Sequence, residues 1–270
     1  MSDPIEISEA ELSAMTADMD QMHHASVPAL KDAVDEWKQL HHDVRAGAGK
    51  VVNTLASRRR FLIGSGVALG GLALAACSSS SKSSSTTTTS AAAGGTGTKS
   101  GALTGDLAIV ALAAGLENLA VATYQGGIDA ATKGKLGAVP PAVVTFAQTA
   151  QKHHKAHADA WNAILASVGK SKVTGVDMTV KTGVVDPAFA KVKNVGDLAN
   201  LALVLEDVAA ATYLNGIGVI ESKAGIATAA TIQPVEMQHS AILNFVLGKY
   251  PVPNNFAKTT GARAPSDSLG

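Results

Sequence analysis

Three carboxylates and three imidazoles in this 270-residue chain stand where helical periodicity would bury them. Glu117 and Glu206 each interrupt an apolar stripe, and His154 with His157 and Glu236 with His239 form two pairs three residues apart. Residues three apart differ by about 60° around a helix axis, so each pair flanks the centre of one face. Burying even a neutral polar group costs roughly 2–7 kcal/mol unless a partner is buried with it, and a carboxylate costs more. Carboxylates reduce the repulsion between neighbouring divalent ions by bridging them, while neutral imidazoles take terminal positions. The six residues are therefore the donor set of a transition-metal site. Their three nitrogens tilt it towards zinc, copper or a nitrogen-rich iron site, with one ion or two weakly compensated ones. A metal-free network of Glu–His hydrogen bonds would satisfy the same side chains.

The elements that must position these residues are four long helices. The first is predicted from about Asp106 to Ala131, with Val110, Ala113, Glu117, Ala120, Val121, Tyr124 and Ile128 on one face. The second begins after Pro140-Pro141 and stops at Gly169, carrying Ala147, Ala150, His154, His157, Trp161, Ile164 and Leu165 on its stripe. A connection from Lys170 to Lys193 shows no clear element and reads as a crossover. The third helix runs from about Gly196 to Glu221 around Glu206 and Tyr213, and the fourth from about Ala224 to Leu247 around Glu236 and His239. Pro234 should start the ordered part of the fourth helix or kink it.

These helices repeat. Leu116-Glu117-Asn118 to Ile128 returns as Leu205-Glu206-Asp207 to Ile217, and His157 to Leu165 aligns without a gap on His239 to Leu247. Helices one and two thus recur as three and four, giving an all-α four-helix bundle built from two repeated hairpins joined by a long crossover. The alignment sets Glu117 against Glu206, His154 against Glu236 and His157 against His239. His153 falls on the opposite flank of its helix face as a reserve or supporting residue. Tyr124 and Tyr213 lie two turns after their glutamates, where core packing and hydrogen bonding to a ligand are both open.

Residues 104–250 resemble the ferritin-like superfamily, and more narrowly the bacterial exported ferritin-like domain proteins. That family's core takes one Glu from each of two helices and a Glu-x-x-His from each of the other two. Glu117, Glu206 and Glu236-Met237-Gln238-His239 match that pattern. His154-Lys155-Ala156-His157 departs from it by placing histidine where the pattern has glutamate, and the alternative register Gln151-x-x-His154 also lacks the carboxylate. The resemblance implies iron or manganese as cofactor and redox chemistry of an oxidase or peroxide type. Its alternative is a ferritin-like scaffold or stress-protection protein of the cell envelope that has lost its metal.

The first hundred residues read differently. Ser57-Arg58-Arg59-Arg60-Phe61-Leu62 precedes an uncharged run to Ala76, too short and weakly hydrophobic for an ordinary spanning helix. Arg58-Arg59 resemble the twin-arginine export signal, and Leu74-Ala75-Ala76-Cys77 resembles a lipobox with Cys77 as the lipidated residue. The resemblance implies the twin-arginine export machinery as partner and the outer face of the cytoplasmic membrane, reached through a lipid anchor, as location. Residues 78–103 are a Ser/Thr/Gly-rich tether, and 251–270 are expected as a disordered tail. Residues 1–56 carry one amphipathic helix, with Val27, Leu30, Val34, Trp37, His41 and Val44 at helical spacing, ahead of the signal segment 57–77. They are expected as a leader lost on processing, or as the product of a start codon placed too early, with Met15, Met19 and Met22 as later starts.

Acidic and basic residues balance at 22 each, which removes any electrostatic footprint for nucleic acid. The single cysteine excludes an internal disulfide. Scarce aromatics and abundant alanine favour closely packed helices over sheets.

Overall fold

The computed structural model describes residues 8–45, 103–254 and 256–264. Arg58, Arg59, Cys77 and nearly all of the tether lie outside them. The described residues are helical throughout their ordered elements and contain no strand. Helix α1 spans Glu9–Arg45, α2 Asp106–Thr132, α3 Pro141–Ser167, α4 Val195–Val219 and α5 Lys223–Val246. Helix α2 pairs with α3, α4 with α5, and α2 meets α4 across the bundle.

Local chemistry sets these boundaries. Pro141 opens α3 at a position where its missing N–H is not needed. Asn194 and Ser222 cap α4 and α5 by accepting hydrogen bonds from the amides of Asp197 and Gly225. Gly169 and Gly248 follow α3 and α5 at φ 74° and 68°, the left-handed region in which glycine closes a helix without strain. Helix α5 continues through Pro234, so that residue neither starts nor ends it. The connection between the hairpins contains short helical turns at Met178–Val180 and Asp186–Phe189 joined by a π-turn at Lys181–Val185. Val180 and Val185 pack there with Leu119, Leu201 and Leu205, so the crossover covers the outside of α2 and α4.

The expected four-helix bundle gains a fifth helix. Helix α1 packs on α3 and α5, and its apolar residues enter both main clusters of the core. Leu30, Val34 and Trp37 join Val110, Trp161, Ile164, Leu165 and Ile232 at one end. Leu12 and Met19 join Tyr124, Phe146, Leu203 and Leu243 at the other. The fit is specific at Gly225, where an added Cβ would lie 2.2 Å from Trp37 Cζ3 and 2.8 Å from Ile220 Cγ2. Val27, placed on the amphipathic stripe from sequence, is 37% exposed, while Leu12, Thr16, Met19 and His23 continue the buried stripe upstream.

The segment after α5 also departs from expectation. Arg263 pairs with Asp177, whose side chain is fully buried and also accepts from the Val180 amide, and the Arg263 amide donates to Thr212 Oγ1. The end of the described chain is therefore held against the crossover rather than running free through all of 251–270.

Candidate metal centre

Between the two apolar clusters the four bundle helices converge on Glu117, His154, His157, Glu206, Glu236 and His239, each no more than 2% exposed. Helix α2 brings Glu117, α3 brings His154 and His157, α4 brings Glu206, and α5 brings Glu236 and His239. All six sequence-predicted donors meet in one place. They fall into two overlapping sets, Glu117, His154, His157, Glu236 and His154, Glu206, Glu236, His239, with one ligand atom from each residue within 4.8 Å of the others in its set. His154 and Glu236 belong to both.

His154 spans the two sets. Its Nδ1 is 2.8 Å from Glu117 Oε2 and 3.7 Å from Glu236 Oε2, while its Nε2 is 3.1 Å from Glu206 Oε1. His239 Nδ1 faces Glu206 Oε2 at 3.2 Å and Glu236 Oε2 at 3.4 Å. His157 Nδ1 lies 2.9 Å from Glu236 Oε1, yet neither atom has the alignment of a hydrogen bond with any partner. Glu236 Oε2 is orphaned as well. Buried polar atoms are almost always satisfied, so three orphans turned into one cluster are compatible with a set of metal donors.

Two tyrosines cross between the repeats to hold the outer glutamates. Tyr124 of the first repeat donates to Glu206 Oε1 of the second at 2.5 Å, and Tyr213 of the second donates to Glu117 Oε1 of the first. The hydroxyl of Tyr213 in turn accepts from Trp161 Nε1–H at 2.8 Å. Each tyrosine thus fixes one carboxylate oxygen; the other faces His154 at Glu117 and His239 at Glu206, and His154 Nε2 also shares Glu206 Oε1 with Tyr124. Gln151 is outside the centre, donating to Val121 O and Gln125 Oε1, which leaves His154-x-x-His157 as the register of α3.

The cluster is electrically self-compensated in the metal-free chain. Burial would raise Glu117, but the nearby charge of His157 and the hydrogen bond from His154 outweigh it and hold the carboxyl at about 2. Burial likewise opposes ionisation of Glu206, and the charges of His154 and His239 overcome it. The same contacts reverse the effect of burial on the imidazoles. His157 rises to about 9, His154 rises well above the ordinary range through Glu206 and Glu236, and His239 rises through Glu206.

His153 belongs to neither donor set but touches one of the six. Its Nδ1 is 3.1 Å from His239 Nε2 and its Nε2 is 3.0 Å from Asp20 Oδ1 on α1. His23, also on α1, stacks on the His153 ring at 3.8 Å between centroids and 16° between planes. Sequence reasoning gave Asp20 no role and set His23 aside, because neighbouring histidines such as His23 and His24 point about 100° apart on a helix. The signal available was the run Leu12, Thr16, Met19, His23, spaced four, three and four, which places His23 on the packed face of α1.

The sequence model of the ferritin-like domain family matches residues 105–249, more than half of the chain. The chain belongs to the ferritin-like family. No curated protein and no solved structure matches it. Within that family frame, the matched residues are helices α2 to α5 with every one of the six buried donors, while α1, Asp20 and His23 lie outside the match.

Proposed function

We propose that this ferritin-like protein binds one or two transition-metal ions among Glu117, His154, His157, Glu206, Glu236 and His239. The observation that carries the reading is the pair of overlapping donor sets whose shared Glu236 has both oxygens orphaned, beside an orphaned His157 Nδ1. The donor chemistry fits a metal: carboxylate oxygens and neutral imidazoles suit zinc, copper, iron and manganese. Glu236, common to both sets, would be shared if two ions were held, and His154 takes the position where the family pattern has a second carboxylate. A bound iron or manganese would supply one-electron chemistry towards dioxygen or peroxide. The chain's own contribution is to orient Glu117 and Glu206 through Tyr213 and Tyr124, and to exclude water by the apolar clusters on either side.

The order of Arg58-Arg59, the apolar run to Ala76 and Cys77 supports export by the twin-arginine route and anchorage as a lipoprotein. That route accepts folded proteins, as the resemblance implies, which accords with a metal inserted before export.

One observation favours a second reading, a metal-free scaffold of the cell envelope. His154 bonds to both Glu117 and Glu206, so a protonated imidazole can link the two carboxylates without any ion. The double variant Glu206→Ala, Glu236→Ala separates the readings. Under the metal reading it loses metal measured by elemental analysis and loses the stabilisation that metal gives. If the parent, supplied with iron, manganese, zinc and copper, carries no stoichiometric metal and the variant is at least as stable, the scaffold reading stands.

A further inference from the structure

Resting on the metal reading above, we propose that α1 completes the metal centre: Asp20 holds His153 in the tautomer that accepts a hydrogen bond from His239 Nε2–H, leaving His239 Nδ1 as the metal donor. The chain of contacts is continuous. Asp20 Oδ1 is 3.0 Å from His153 Nε2, His153 Nδ1 is 3.1 Å from His239 Nε2, and His239 Nδ1 is 3.2 Å from Glu206 Oε2. A carboxylate only accepts, so the proton between Asp20 and His153 belongs to His153 Nε2. A neutral imidazole has one N–H, so His153 Nδ1 then carries a lone pair and must accept from His239 Nε2. That fixes which nitrogen of His239 faces the carboxylates. Ligating histidines commonly have their other ring N–H held in this way, and removing the partner typically weakens metal binding about 10–100-fold.

Two further observations assign this role to α1. His23 lies flat on His153 and fixes the plane of its ring, and the His153 and His239 rings, 5.4 Å apart between centroids and 17° between planes, meet edge to edge and nearly coplanar, as their 3.1 Å nitrogen contact requires. Helix α1 is seated by Trp37 against Gly225 and by Leu12 and Met19 in the far cluster, which fixes Asp20 between two anchored ends. His153 and Asp20 are positioning residues, since neither belongs to the two donor sets.

The test uses the full-length chain with Asp20→Ala and Asp20→Asn. The Asp20 side chain is 43% exposed, so neither substitution opens the core. Asn retains an oxygen that accepts from His153 Nε2–H, whereas Ala offers nothing. Cobalt(II) affinity, followed by its visible absorption, should fall at least about tenfold in Asp20→Ala and stay within about threefold of the parent in Asp20→Asn. Equal affinity in the parent and Asp20→Ala overturns the proposal. The nitrogen-15 spectrum of the metal-free parent should show His153 protonated on Nε2, with that preference lost in Asp20→Ala and kept in Asp20→Asn. His153 protonated on Nδ1 in the parent overturns the proposal whether or not metal binds. A parent that binds no cobalt sinks the metal reading instead, and the tautomer measurement then decides whether Asp20 sets His153.

Discussion

Metal binding to this chain should be strongly proton-coupled, and oppositely to its metal-free stability. His157 is held at about 9, against an ordinary value of 6.5, by Glu117 and Glu236, which overcome its burial. A metal needs the neutral imidazole, so at pH 6.5 it must displace a proton, and affinity should rise about tenfold per pH unit up to about 9. From pH 6.5 to 8.5 His157 alone gives a gain of about 100-fold, and raised His154 and His239 steepen it. The metal-free fold responds with the other sign. Because the folded value of His157 exceeds the unfolded one, its contribution is fully present below pH 6.5 and is lost as pH rises through about 9. That loss approaches about 1.4 kcal/mol per unit and per proton within this window. Competition titrations with a chelator from pH 6.5 to 8.5, paired with calorimetry in two buffers of different ionisation enthalpy, read both the slope and the proton count. Urea denaturation of the metal-free chain across the same range reads the stability. An affinity that stays flat, with no proton released on binding at pH 7.5, refutes the reasoning.

Gly225→Ala should destabilise the chain by about 1–3 kcal/mol in urea denaturation, because the new methyl meets the ring of Trp37 at 2.2 Å and the buried ring has no free space to enter. Tyr213→Phe should cost more than Tyr124→Phe in the same measurement. Both variants remove a hydroxyl from a glutamate oxygen, but the first also leaves Trp161 Nε1–H without its acceptor, adding about 1–3 kcal/mol.

The four bundle helices were legible because three signals agreed. Apolar residues recur at helical period, the two hairpins repeat one another, and Pro141 and Gly169 mark the two ends of α3. The six donors followed from the repeat, since polar residues aligned on apolar stripes point to a shared interior. The elements inside the crossover were not legible. Met178–Val180 and Asp186–Phe189 are too short to show a period, and the cap that starts the first, Asp177, depends on Arg263 far along the chain for its charge balance. The role of α1 was half legible. Its stripe predicts an amphipathic helix, but the partner of that stripe is set by tertiary packing, and the 46–102 segment separates it from the bundle in sequence. The tyrosines illustrate the same limit, because Tyr124 and Tyr213 reach glutamates of the opposite repeat rather than their own.

The seat of Trp37 against Gly225 has a topological consequence. Helix α1 precedes Arg58-Arg59 and the apolar run to Ala76, while α5 follows them, yet the two are in contact. A segment that crosses a bilayer once leaves its flanks on opposite faces, so the packed five-helix body and a crossing at 63–76 exclude one another. Under the export reading, folding on the side of synthesis would build the centre with Asp20 in place, and translocation with cleavage before Cys77 would strip α1 from it. The bundle that arrives outside would then present bare faces of α3 and α5, and His153 without its carboxylate, to whatever it meets there.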